Sequence, residues 1–233
     1  MNRFRVSVIF LFTVAVFCTG ESVIGGELET VLEKVEQGDA NAQNYLGIMY
    51  AQGRGVNQNF KQAVHWFSKA AEKDQPSACN NLGMMYYLAK GVIKDYGKAA
   101  HWFKKGADLG YVDAQYNLGL MYYRGKVNTY GGGGVPQDYQ QAFKWFKKAA
   151  EQGHSCSANT LAMMHFKGHG CPRDCIAAYV WNARAVDLGD YKALQNKKKI
   201  MAQMTPEQKK QAQSAIERLR AKAAAAEAQS DEE

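Results

Sequence analysis

The sequence predicts an all-α solenoid of four helix–turn–helix repeats, on three observations. The pair Leu46-Gly47 recurs as Leu82-Gly83 and Leu118-Gly119, 36 residues apart each time, and again as Leu161-Ala162 after 43. The tryptophans Trp66, Trp102, Trp145 and Trp181 keep the same rhythm, with steps of 36, 43 and 36. Proline is scarce, at four residues in 233, which suits long helices. Self-similarity at such a period is the signature of a repeat array.

The longer steps both span residues 128–134, Asn-Thr-Tyr-Gly-Gly-Gly-Gly, so one seven-residue insertion accounts for both; its composition predicts a flexible loop. In the first repeat Ala42, Tyr45, Leu46, Met49 and Tyr50 share one face of a 3.6-period helix. Gly53-Arg54-Gly55-Val56 ends it. Phe60, Ala63, Trp66, Phe67, Ala70 and Ala71 form the apolar stripe of a second helix. Gly38, Gly110, Gly153 and Gly189 end the second helices of successive units, and Asp74 stands at that junction in the first repeat. Neither helix can bury its stripe alone, so stability requires stacked pairs. Gly47, Gly83 and Gly119 sit mid-helix, each at a cost of about 1 kcal/mol relative to alanine. A cost repeated three times implies close approach of a neighbouring helix backbone at each position.

The implied organisation is a signal peptide over residues 1–20, a capping helix (half a repeat) over 27–38, and repeats over 39–74, 75–110, 111–153 and 154–189. C-terminal capping helices follow over 190–226, with a disordered acidic tail at 227–233. The leader has Arg3 and Arg5, an uncharged stretch from Val6 to Cys18, and Thr19-Gly20 as a small-residue cleavage site. The stretch is shorter than the ~20 residues a membrane span needs. Phe17 is too bulky for lipoprotein processing at Cys18. The expected location is periplasmic or secreted, with no stable membrane span after cleavage. Thr205-Pro206-Glu207-Gln208 reads as a capping box opening a helix that runs to about Ala226.

Removing Arg3 and Arg5 with the leader lowers the formal charge from +7 to +5. That excess is spread out, and Lys197–Lys199, the one dense basic run, reads as a solvated helix face. Nucleic-acid binding needs a focused basic stripe, so no nucleic-acid partner is expected.

The residues Ala40 to Tyr50, Gly53-Arg54-Gly55-Val56 and Ala63 to Glu72 closely resemble the Sel1-like repeat family. The match recurs over 78–109 and 114–153, and more weakly over 157–189. The resemblance implies a right-handed α-superhelix related to tetratricopeptide arrays and a role as scaffold or adaptor in secretion, envelope stress or host contact. It also implies that the first helices line the concave side. Repeat two departs from the pattern at Ala89, where a turn glycine belongs. Repeat four departs at Ala162, His165, Cys171 and Asn182, and is expected to be the least regular unit.

If Ala42, Leu46 and Met49 face the core, a second strip faces away: Asn44, Ile48, Asn80, Met84, Tyr87, Tyr116, Leu120, Tyr123, Asn159, Met163 and Phe166. An exposed apolar strip of this size marks an interaction surface. The expected partner is a protein segment held in the groove by a monomer; the alternative is that the strip touches the next repeat as core.

Repeat four gathers His154, Cys156, His165, His169, Cys171 and Cys175. Gly168 and Gly170 interrupt the helix around His169, so no metal site and no cofactor are expected. The mature chain has four cysteines, an even number in an oxidising compartment. Cys171–Cys175, or Cys156 with one of these, is the expected disulfide, with Cys79 free; four reduced, buried thiols are the alternative. No Gly-x-Ser-x-Gly, Walker or His-Glu-x-x-His motif is present, and no catalytic residues are expected. The alternative function is an envelope hydrolase like the cysteine-rich members of the family linked to β-lactam hydrolysis. In those, a cysteine ending one second helix pairs with one opening the next repeat; here Cys79 matches the second position and Ala71 occupies the first.

Overall fold

The computed structural model describes residues 22–127 and 133–230. The expected leader, most of the inserted loop and the last three residues lie outside that range. The helices run in order α1 (Ser22–Glu36), α2 (Ala40–Gln52), α3 (Phe60–Glu72), α4 (Pro76–Leu88), α5 (Tyr96–Asp108) and α6 (Val112–Arg124). Then come α7 (Tyr139–Glu151), α8 (Ser155–Lys167), α9 (Cys175–Asp187), α10 (Ala193–Met201) and α11 (Pro206–Ser230). The pairs α2/α3, α4/α5, α6/α7 and α8/α9 are the four repeats. From α1 to α10 each helix contacts its neighbours along the chain, as a solenoid requires, and α11 returns to pack on α9.

All eight repeat helices have 13 residues, repeat four included. Its expected irregularity is therefore absent from the backbone and confined to side chains. Each second helix starts on the same device: Asn59, Asp95, Asp138 and Asp174 accept backbone N–H groups of the first turn. The first helices end on left-handed residues, Gly53, Ala89 and Gly168 in repeats one, two and four, with φ of 73°, 59° and 73°. Ala89 thus adopts a left-handed conformation that disfavours a Cβ.

The core is shared between repeats. Ala63, Phe67, Ala70 and Ala71 of α3 cluster with Ala78, Cys79, Leu82 and Met85 of α4. Ala99, Phe103 and Ala107 of α5 do the same with Ala114, Leu118 and Met121 of α6. Helix α1 supplies Val35 against Ala42, Leu46 and Met49, and so acts as the second helix of a half-repeat. At the other end Ile200, Met204, Ala212 and Ile216 of the α10–α11 region cover α9. The capping box forms: Thr205 Oγ1 accepts from Gln208 N at 3.2 Å, and Gln208 Oε1 accepts from Thr205 N at 3.0 Å. Helix α11 runs to Ser230, so residues 227–230 are helical where a disordered tail was expected.

The mid-helix glycines have a different cause from the one expected. A methyl group on Gly47, Gly83 or Gly119 would lie 2.6, 2.7 and 2.8 Å from the rings of Phe67, Phe103 and Phe146. The nearest neighbour is in each case the phenylalanine of the same repeat's second helix; the expected helix backbone comes close only at Gly83, where Ala99 O would lie 3.2 Å from the added methyl. In repeat four Asn182 replaces the phenylalanine, and Ala162 replaces the glycine.

The insertion is also more ordered at its base than a flexible loop. Strands β1 (Lys126–Val127) and β2 (Gly134–Val135) pair antiparallel, Lys126 opposite Val135. Val135 is buried in the α5/α6 cluster and β2 rests on α5. Residues 128–132 lie outside the described structure.

Candidate interaction groove

The first helices are neither amphipathic nor charged in the usual way. One face enters the core of its own repeat and the opposite face meets the next repeat. The expected outward strip therefore divides. Asn44 and Asn80 are buried, at 7% and 8% exposure, which corrects their placement on an open surface. They sit in a ladder of amides between consecutive first helices. Asn81 Nδ2 donates to Asn44 Oδ1 at 2.9 Å, and Asn117 Nδ2 to Asn80 Oδ1 at 2.8 Å. The α6–α8 seam has Tyr116 and Thr160 in these places, and the amide pair returns between α8 and α10, where Asn196 Nδ2 donates to Asn159 Oδ1 at 2.8 Å. These amides satisfy one another at the seams, as buried polar groups must.

The apolar members of the strip are half-buried: Ile48, Met84, Tyr87, Tyr116, Leu120, Tyr123, Met163 and Phe166. Most lean on the following repeat. Ile48 packs on the α3/α4 cluster, Met84 and Tyr87 on the α5/α6 cluster, and Phe166 on the C-terminal cluster. Tyr116 and Tyr123 are largely structural. Tyr116 lies 5.8 Å from the Phe146 ring and 4.6 Å from His154. Tyr123 lies 5.2 Å from Tyr139, and its hydroxyl is 3.3 Å from His169 Nδ1. Burial pushes both phenols above their ordinary value.

Between α4 and α6 the strip opens into a cleft of about 190 Å³. Met84 and Tyr87 form one wall; Asn117, Leu120, Met121 and Arg124 form the other, over Phe103. Three of the expected strip residues, Met84, Tyr87 and Leu120, are thus brought together. Sequence periodicity missed Asn117 and Arg124, which stand at i−3 and i+4 from Leu120 on the same helix face.

The cysteines Cys79, Cys156, Cys171 and Cys175 are all unpaired thiols, so none of the expected Cys156, Cys171 and Cys175 bridges is formed. Cys156 is exposed on the first turn of α8, while Cys171 Sγ lies 3.6 Å from His165 Nδ1. Burial pushes the Cys79 and Cys171 thiols up, which favours the unreactive protonated form. His154 is engaged elsewhere: its Nδ1 accepts from Ser157 N at 3.1 Å and its Nε2 lies 3.8 Å from Asp113. It caps α8. Cys79 Sγ lies 3.9 Å from the carbonyl oxygen of Ala71. Among the described residues no group of three or more His, Cys, Asp and Glu side chains is placed to hold a metal ion. No helix there is long and apolar enough to cross a membrane.

The Sel1 repeat model matches residues 40–75, 76–111, 112–154 and 157–190, well over half of the sequence and one unit per helix pair. The chain belongs to the Sel1-repeat family. Among solved structures, this Sel1-repeat chain is similar to a protective antigen present in uropathogenic Escherichia coli strains. That match is 37% identical with a TM-score of 0.66, and covers 71% of this chain and 34% of the antigen. A Sel1 repeat protein from Oxalobacter formigenes is 36% identical with a TM-score of 0.65, covering 73% of this chain and 47% of its own. The match thus spans less than half the length of either relative. No curated protein matches significantly.

Proposed function

We propose that this Sel1-repeat protein is a non-enzymatic scaffold that works in the periplasm or as a secreted protein and holds a segment of a partner protein along its first helices. The cleft between α4 and α6 carries this reading. It is apolar, partly open, and built from three residues of the strip that periodicity singles out. Aromatic and methionine side chains suit such contact because they offer large area with adaptable shape. By the family resemblance the strip lines the concave side, where an extended peptide or a helix fits. Ile48, Met163 and Phe166 extend the same contact line into repeats one and four. The protein acts as a monomer without nucleic acid.

The test is affinity capture from an envelope fraction with residues 21–233 as bait, beside the variant Tyr87→Ser/Leu120→Ser. Tyr123 is a poor choice for substitution, because its ring belongs to the Tyr139 and His169 stack. Loss of a captured partner, with helical circular dichroism and unfolding midpoint retained, is the expected result. Equal capture by both baits places the contact elsewhere.

A further inference from the structure

The charge distribution around the cleft specifies what kind of segment fits it. The four first helices, α2, α4, α6 and α8, carry only three fully charged side chains: Asp113, Arg124 and Lys167. Asp113 is at the start of α6, beside His154 and away from the cleft. Arg124 and Lys167 occupy the last turns of α6 and α8, both exposed and both at the same edge. Arg124 lines the cleft itself. It forms no ion pair with any described carboxylate, whereas Arg54, in the turn of repeat one, is held by Glu27 at 2.7 Å.

The edge beyond Arg124 is cationic as well. Lys90 Nζ lies 5.0 Å from the Phe60 ring centre, and Lys94 and Lys126 lie 5.9 Å from that of Tyr96. The Tyr96 ring lies 5.3 Å from Tyr87, so this edge is continuous with the cleft wall. Asp95 and Asp138, carboxylates at this edge, already cap α5 and α7 by accepting from Lys98 N and Gln141 N, each at 2.9 Å. A low-charge trough with one cationic edge attracts an apolar ligand that carries negative charge on that side.

Building on the scaffold reading above, we propose that the cleft takes a peptide presenting an apolar side chain between Met84, Tyr87 and Leu120 and a carboxylate to Arg124. Leu120 and Arg124 are one turn apart, roughly 6 Å along the helix. An extended peptide rises about 3.3 Å per residue, so the acidic residue stands about two positions from the apolar anchor. A guanidinium receives a carboxylate through two parallel N–H donors, which adds direction to the charge.

The experiment selects a randomised dodecapeptide phage library on immobilised residues 21–233 and, in parallel, on Arg124→Glu. The wild-type chain is expected to enrich an aromatic, Leu or Met anchor with Asp or Glu within three positions. On Arg124→Glu the acidic position should turn to Lys or Arg. A synthetic wild-type consensus peptide should lose at least about tenfold in Kd against Arg124→Glu and several-fold against Arg124→Gln, a variant that adds no new charge. An apolar consensus lacking acids, or equal affinity for all three chains, overturns this inference. If such binding is still lost in Tyr87→Ser/Leu120→Ser, the scaffold reading survives alone. Binding insensitive to every one of these substitutions, or no enrichment on the wild-type chain, overturns both.

Discussion

In repeats one to three a glycine in the middle of the first helix faces a phenylalanine of the second, whereas in repeat four the corresponding pair is Ala162 and Asn182. The backbones are alike, thirteen residues per helix in each case. The larger ring demands the absent Cβ. The smaller amide permits a methyl group, and the glycine penalty is removed. The exchange has its own cost: Asn182 is fully buried, its Nδ2 donates to Ala193 O at 3.0 Å, and its Oδ1 has no partner among the described residues. Repeats one to three thus rest on ring packing, while repeat four uses a hydrogen bond to anchor the capping helix α10.

Substitution of the rings should separate the two designs most. Phe103→Ala is expected to destabilise by about 3–5 kcal/mol, as for a fully buried ring. Asn182→Ala removes one hydrogen bond and one unsatisfied oxygen together, so urea unfolding should show a loss of only about 0.5–1.5 kcal/mol. A comparable loss in both variants would end the distinction.

The small residue opposite gives the next effect. Gly83→Ala gains up to about 1 kcal/mol of helix propensity but overpacks against Phe103 at a cost of about 1–3 kcal/mol, so a net loss of stability is expected. Combining it with Phe103→Leu should lose less than the two single effects together. Ala162→Gly, the reverse change in repeat four, should also destabilise, by about 1 kcal/mol. A Gly83→Ala chain that melts higher than wild type would contradict the ring contact.

The turns sharpen the comparison by a smaller amount. Ala89 holds φ of 59° where Gly53 and Gly168 stand in repeats one and four. Ala89→Gly should stabilise by roughly 0.5–1 kcal/mol, the relief of left-handed strain exceeding the entropy regained by the unfolded chain. Asp74 shares the strained geometry, but it holds Lys105 at 2.8 Å, so Asp74→Gly should change the thermal midpoint much less.

The smallest effect is a pH slope confined to repeat four. His154 and His165 stand where the other repeats have Asp39, Gln75 and Tyr111, and Tyr50, Tyr86 and Tyr122. Burial lowers both imidazoles below their ordinary value, against the nearby Asp113 and Asp174, while Lys147 adds to the lowering at His165. The folded state therefore favours the neutral rings. Their contribution is complete above the ordinary histidine value of about 6.5 and is lost as pH falls below it, because the unfolded chain takes up protons first. Urea midpoints between pH 8 and pH 5.5 should fall less steeply for His154→Asn/His165→Tyr than for wild type.

The repeat unit, its helix pair, the insertion and the Thr205 capping box were readable because each is a local pattern stated several times or with specific capping residues. The glycine at position 47 was legible as a cost, but its beneficiary, Phe67, is twenty residues away and its ring direction depends on the pairing of α2 with α3. Helical periodicity placed Asn44 and Asn80 on the outside because it treats a helix as having one buried face; in a stacked array the second face meets the next unit. The thiols were paired on compartment and spacing, which do not fix side-chain distance. Within the cleft, Met84, Tyr87 and Leu120 followed from apolar character at helical spacing. Arg124 did not, since a charged last-turn residue ordinarily reads as a helix terminus.

The asparagine contacts between first helices have a consequence for how long such a chain can be. Asn44 offers its oxygen to Asn81 just as Asn80 offers its own to Asn117. Excising one whole 36-residue unit would bring Asn44 opposite Asn117 with the matching amide already in place. A unit can therefore be lost or duplicated within repeats one to three without inventing a new amide contact, whereas at the α6–α8 seam Tyr116 and Thr160 occupy the corresponding places.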